Sequence, residues 1–150
     1  MDTSARKTTN PHANGAGTRG EAVRVPLEAR FVGVLNNRND GRGLVLINAH
    51  TRCVRRYDIH EFIVTDEPTA APGATVNGVH YIGFAELQAG GVLAEGDAVR
   101  IGGEIIGSIA GFDESHFPNH YNVVIRGPRR VTGVELAQKP GDLIVFLPRG

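Results

Sequence analysis

A chain of 150 residues, 41% of them hydrophobic, can bury one core but not comfortably two. Its 16 basic and 16 acidic side chains cancel. It therefore lacks the basic excess that nucleic acid or an anionic membrane surface would require, and the expected partner is a small molecule.

Residues 1–21 are rich in Thr, Asn, Gly and Ala and show no apolar period. They cannot bury enough surface to offset their ordering entropy, so they read as a disordered tail ahead of one domain over residues 22–150. They also lack the apolar core of a secretory signal. Structure begins near Val23, where Val25, Leu27, Ala29, Phe31, Gly33 and Leu35 alternate with period two, as in a half-buried strand. Asn36 to Gly41 has turn chemistry. Leu44–Ile47 is a short apolar strand, and Cys53–Tyr57 and Glu61–Thr65 are weaker ones.

A phrase then recurs. Pro72-Gly73-Ala74-Thr75-Val76, Glu95-Gly96-Asp97-Ala98-Val99 and Pro140-Gly141-Asp142-Leu143-Ile144 each set a Gly turn just before a strand. The middle one continues through Gly102-Gly103 into Glu104-Ile105-Ile106. Paired glycines between apolar strands signal a hairpin, because its favoured turns need positive φ. Gly107–Phe112 extends the second strand of that hairpin, and further strands follow at Val123–Ile125 and Leu143–Leu147, with room for a turn or two of helix only at Ala85–Ala89 and Val134–Gln138. Many short strands at this spacing predict an all-β fold: a small closed or partly closed β-barrel with at most one or two short helical turns.

The densest polar stretch is Asp113-Glu114-Ser115-His116-Phe117-Pro118-Asn119-His120-Tyr121-Asn122, between two apolar strands. Pro118 denies it a regular ladder or helix, and loops on a rigid scaffold are where binding residues gather. If the chain is extended from Asn119 to Ile125, His120, Asn122 and Val124 share one face. A polar pair entering the interior would mark a pocket. His80 lies in the apolar context Val79-His80-Tyr81-Ile82, whereas His50 and His60 read as surface residues. His116 and His120 have a spacing seen in zinc sites, but no CxxC or HExxH accompanies them. There is no clear third ligand, though Asp113 or His80 could supply one, and neither a metal nor another cofactor is expected. No phosphate-binding or dinucleotide fingerprint is present. The lone Cys53, beside Arg52, Arg55 and Arg56, reads as a small buried hydrophobe. A single cysteine and no apolar run of roughly 20 residues suit a reducing, cytoplasmic setting. Self-association into a homo-oligomer is left open.

From His80 onward, His80-Tyr81-Ile82-Gly83-Phe84-Ala85-Glu86-Leu87, then Gly91, Gly96-Asp97, a Gly-Gly hairpin and finally His120 leading an apolar strand form a longer pattern. Over roughly residues 76–147 it resembles the glucitol/sorbitol-specific IIA component of the sugar phosphotransferase system, a small β-barrel. The resemblance implies that His80 matches the phospho-accepting histidine, Glu86-Leu87 the Glu-Leu pair that follows it, and His120 a second histidine facing His80. Two extra residues before Glu86, and Gln88-Ala89 where the family has a lysine, depart from its pattern.

The functional expectation is a small cofactor-free enzyme acting on a small molecule by histidine general acid–base catalysis, of lyase, isomerase or cyclase type. His120 is the acid or base and His80 its partner, Asp113 orients an imidazole, and His116, Asn119, Asn122 and Glu86 bind substrate. The alternative is a phosphocarrier-like or ligand-binding barrel with His80 as the phosphoryl acceptor.

Overall fold

The computed structural model describes residues 23–149, so the tail expected over residues 1–21 lies outside the described residues. Every regular element in it is a strand. They are β1 (Leu27–Val34), β2 (Arg38–Asn39), β3 (Leu44–Val45), β4 (Thr51–Val54), β5 (Ile59–Thr65), β6 (Thr75–Val76), β7 (Val79–Leu87), β8 (Gly91–Ala94), β9 (Ala98–Ile101), β10 (Glu104–Asp113), β11 (Asn122–Arg126) and β12 (Leu143–Leu147).

The main sheet runs β1-β12-β9-β10-β11-β5-β7-β2, and β1 also pairs with β7. Seven strands therefore close into a ring, with β2 attached outside it. All pairings in the ring are antiparallel except β5 with β11. The alternation read along β1 is real: Leu27, Ala29 and Phe31 are buried while Glu28, Arg30 and Val32 are exposed. The Gly102-Gly103 hairpin also stands, joining β9 to β10 with φ of 61° and 79°. Such values cost an L side chain about 1–2 kcal/mol and glycine almost nothing.

Two cores flank the sheet. Inside the ring, Leu27, Phe31, Phe62, Ile82, Phe112 and Phe146 belong to a cluster fully shielded from water. Outside it, Ile63, Val124 and Ala110 pack against Leu44 and Val76 of the small β3–β6 sheet. Strands β5 and β11 are thus covered on both faces, which leaves near-continuous apolar runs rather than alternation.

Strand β7 carries a bulge that decides the geography. Phe62 pairs with Gly83, but the next residue, Ile63, pairs with Tyr81, so Ile82 is the extra residue. Ala85–Ala89, read as a candidate helical turn, instead continues this strand as far as Leu87, and Val134–Gln138 forms hydrogen-bonded turns. Among the described residues no helix is long and apolar enough to cross a membrane.

Candidate functional site

The polar residues of the 113–122 segment do not enter the ring. Val123 and Ile125 point inward, and Val124 faces the outer core, so Asn122 shares the outer face. Asn122 is level with Glu61 on the parallel strand β5, and Glu61 is level with Phe84 on β7. These three side chains stand in a row on the outer face, just beyond the Ile63–Val124 contact. The loop after β10 folds over them. Its backbone is tied by Phe117 N–H to Glu114 O and by Asn119 N–H to His116 O, and it brings both imidazoles onto Glu61.

His120 Nε2 is 3.5 Å from Glu61 Oε1, and its ring meets Phe84 edge-on at 5.1 Å. His116 stacks on His120 at 5.0 Å. One ligand-capable atom from each of Glu61, His116 and His120 lies within 4.8 Å of the other two. Glu61 is the member that sequence reasoning missed. Its long-range partners were invisible, and a lone Glu at a strand start carries no local signal.

Protonation follows from the partners. His120 Nδ1 lies 2.6 Å from Asn119 Oδ1, an acceptor, so Nδ1 carries the hydrogen and Nε2 the lone pair. Asn122 is fully buried, and its Nδ2 donates to Asp113 Oδ1 at 3.0 Å, which aims its Oδ1 the other way. Asp113 in turn accepts from the backbone and hydroxyl of Ser115. It orients Asn122 and the loop, not an imidazole as expected. His120 Nε2 and Asn122 Oδ1 are both buried without a hydrogen-bond partner of good geometry, although Asn122 lies close enough to favour protonation of His120. Glu61 accepts no hydrogen bond from a described residue, and its side chain is only 9% exposed. Burial raises its pKa, opposed by His116 and Arg42, and burial lowers that of His120. Arg42 reaches in from the β2–β3 loop, donating from Nε to Tyr81 Oη at 3.0 Å, with Nη2 3.5 Å from His116 Nε2.

A cavity of about 390 Å3 adjoins this centre, walled by Arg52, Arg55, His60, Phe117, Tyr121 and His120 among others. His60, read as a surface residue, is buried. Its Nδ1 accepts Tyr121 N–H at 3.1 Å, and burial drops its pKa to about 4. The Arg52 guanidinium covers the Tyr121 ring at 3.1 Å. Cys53, expected to be buried, is exposed.

The structure does not bring His80 to His120. His80 pairs with Val64, whose side chain faces the inner core, so it stands on the face opposite Glu61. Its Nδ1 is buried, 3.8 Å from Glu135 Oε1, and its other charged neighbours are Arg130, Arg38 and Asp40. Glu86 lies two residues beyond Phe84 on β7, where Gln88 Nε2 meets its carboxylate at 3.4 Å. His50 is held by Glu95 at 2.8 Å.

Fold and centre together define an all-β protein with a partly buried Glu–His–His cluster on the outside of a closed strand ring. The chain matches DUF6917, a family of unknown function, over residues 21–147, and belongs to that family. No curated protein and no solved structure matches it.

Proposed function

We propose that the protein is an enzyme that acts on a small molecule by proton transfer, of lyase, isomerase or cyclase type, with Glu61 and His120 as its working pair. In this reading the closed ring is a small barrel that serves as a rigid frame, and the substrate sits in the cavity beside His120. One observation carries it: the Glu61 carboxylate, on a side chain only 9% exposed, lies 3.5 Å from His120 Nε2, a nitrogen buried without a hydrogen-bond partner. An unmet buried polar group costs roughly 1–3 kcal/mol. A frame with no chemistry to perform has no use for such a centre. The neutral imidazole accepts a proton at Nε2, Asn119 holds the tautomer, and Glu61 stabilises the imidazolium that results. Arg52 and Arg55 offer a cationic wall and Tyr121 and Phe117 an apolar one, which suits a small molecule with an anionic group.

The phosphocarrier alternative would use His80. Arg130 and Arg38 stand near it as well as Glu135, but its Nδ1 is buried and the second histidine that this alternative pairs with it lies on the other face of the sheet, so the observations favour the first reading. The test is solvent exchange. In D2O, the protein should incorporate deuterium into a constituent of a small-molecule extract rich in carbonyl acids, read by mass spectrometry. Glu61→Gln and His120→Gln should abolish the incorporation. Exchange that persists in both variants, or no exchange with the intact protein, would overturn the reading.

A further inference from the structure

We propose that Glu61, His116 and His120, with Asn122 Oδ1 as a fourth donor, form a binding site for one divalent first-row transition ion. The inference rests on the same placing of the centre as the proton-transfer reading and adds its cofactor.

The argument starts from the sign of the atoms. His120 Nε2 presents a lone pair, because Nδ1–H is committed to Asn119. Asn122 presents its carbonyl oxygen, because its amide nitrogen is committed to Asp113. Glu61 presents a carboxylate. The His120 and Glu61 donors face each other at 3.5 Å, Asn122 lies close enough to act on His120, and His120 Nε2 and Asn122 Oδ1 are both buried without a hydrogen-bond partner. Acceptors gathered out of water call for a cation among them.

Distances agree with a metal. Ligand atoms about 2.0–2.2 Å from a tetrahedral ion stand about 3.4 Å apart. The His120–Glu61 separation of 3.5 Å already has this value. His116 sits on the exposed loop, within the 4.8 Å envelope, and has to close by about 1 Å. Two imidazoles with oxygen donors suit zinc, iron or cobalt better than calcium or magnesium. The outer contacts are also of the kind that hold metal ligands, with Asn119 on the far nitrogen of His120 and Asp113, itself pinned by Ser115, behind Asn122. The sequence offered His116 and His120 but no third ligand. Glu61, brought in by the parallel β5–β11 pairing, supplies it.

Arg42 is the opposing charge, 3.5 Å from His116 and tethered by Tyr81. Its removal should tighten ion binding, while in the intact protein it stands ready for an anionic group of a substrate. With an ion bound, His120 Nε2 would be a ligand and no longer a free proton acceptor, and a water could take that role only at a fifth position beyond the four protein donors.

The experiment uses the full chain, stripped with a chelator and dialysed. Calorimetric titration with Zn(II) should show one ion per chain with a micromolar or lower Kd, and Co(II) should give visible bands of a four- or five-coordinate site. Glu61→Gln and His120→Gln should each weaken binding at least tenfold, and Asn119→Ala by about tenfold through the tautomer of His120. Arg42→Gln should strengthen it, and His50→Gln, at the separate Glu95 pair, should leave it unchanged. Circular dichroism of the stripped variants checks that each is folded. Binding weaker than millimolar, or binding untouched by both Glu61→Gln and His120→Gln, would overturn the proposal. Deuterium exchange by the stripped protein, with no ion bound at micromolar concentration, would sink the metal and leave the imidazole base standing. Ion binding without exchange would do the reverse.

Discussion

Glu61→Met should make the metal-free protein more stable, not less. Glutamate and methionine are similar in length and volume, so the substitution leaves no large void against Phe84 and Asn122, its neighbours across the sheet. It removes a 9%-exposed carboxylate that no described residue hydrogen-bonds and that faces a neutral imidazole nitrogen 3.5 Å away. Burying such a group costs about 1–3 kcal/mol, and that burial outweighs the opposing attraction of His116 and Arg42, while His120 carries no charge in its favoured form. Allowing for strain at Asn122 and His120, about 1–2 kcal/mol of stability should return. For a domain of this size that is a rise in Tm of roughly 3–8 °C. Thermal unfolding in EDTA, followed by circular dichroism, reads it directly. With Zn(II) at about 100 times its Kd, the wild type should gain about 2.7 kcal/mol and the variant nothing, so the order of the two Tm values reverses. A lower Tm for Glu61→Met in EDTA would refute the reasoning, because it would mean the carboxylate is satisfied and stabilising where it stands.

Gly103→Val should cost about 1–2 kcal/mol through backbone strain alone, since φ is 79° and a Cβ there meets nothing within 4 Å; urea unfolding checks it. Asp97→Ala should cost about 3 kcal/mol in the same assay. Asp97 is buried and accepts from Arg24 at 2.6 and 2.8 Å and from Ala94 N–H at 2.9 Å, so its loss strands a largely buried guanidinium. Burial, with Arg130 and Arg38, holds the pKa of His80 below its ordinary 6.5, so the fold favours the neutral ring. Its contribution is present above pH 6.5 and is lost as the pH falls from there through the lower value of the folded state, because the unfolded chain takes up the proton first. Stability measured from pH 7.5 to 5 should therefore fall less steeply in His80→Gln, and equal slopes would contradict the placement of His80.

The sequence alone determined what local chemistry can determine. The Gly102-Gly103 turn, the alternation along β1 and the bounds of β12 at Leu143–Leu147 follow from φ preferences and period two, which neighbouring residues impose on one another. The 113–122 loop was legible as a candidate site because so many polar groups exceed what a connection needs. Only the tertiary structure decided which groups meet. Glu61 reaches His116 and His120 through the parallel β5–β11 register, a pairing between segments far apart in the chain. On a regular strand His80 and Phe84 would share a face, though about 13 Å apart along it. The extra residue Ile82 turns the strand over between them and sends His80 to the inner side. Strand β5 looked weak because both of its faces are covered, and double burial erases the alternation that marks a strand. Register, bulge and double burial arise from contacts between distant segments, so no window of neighbouring residues records them.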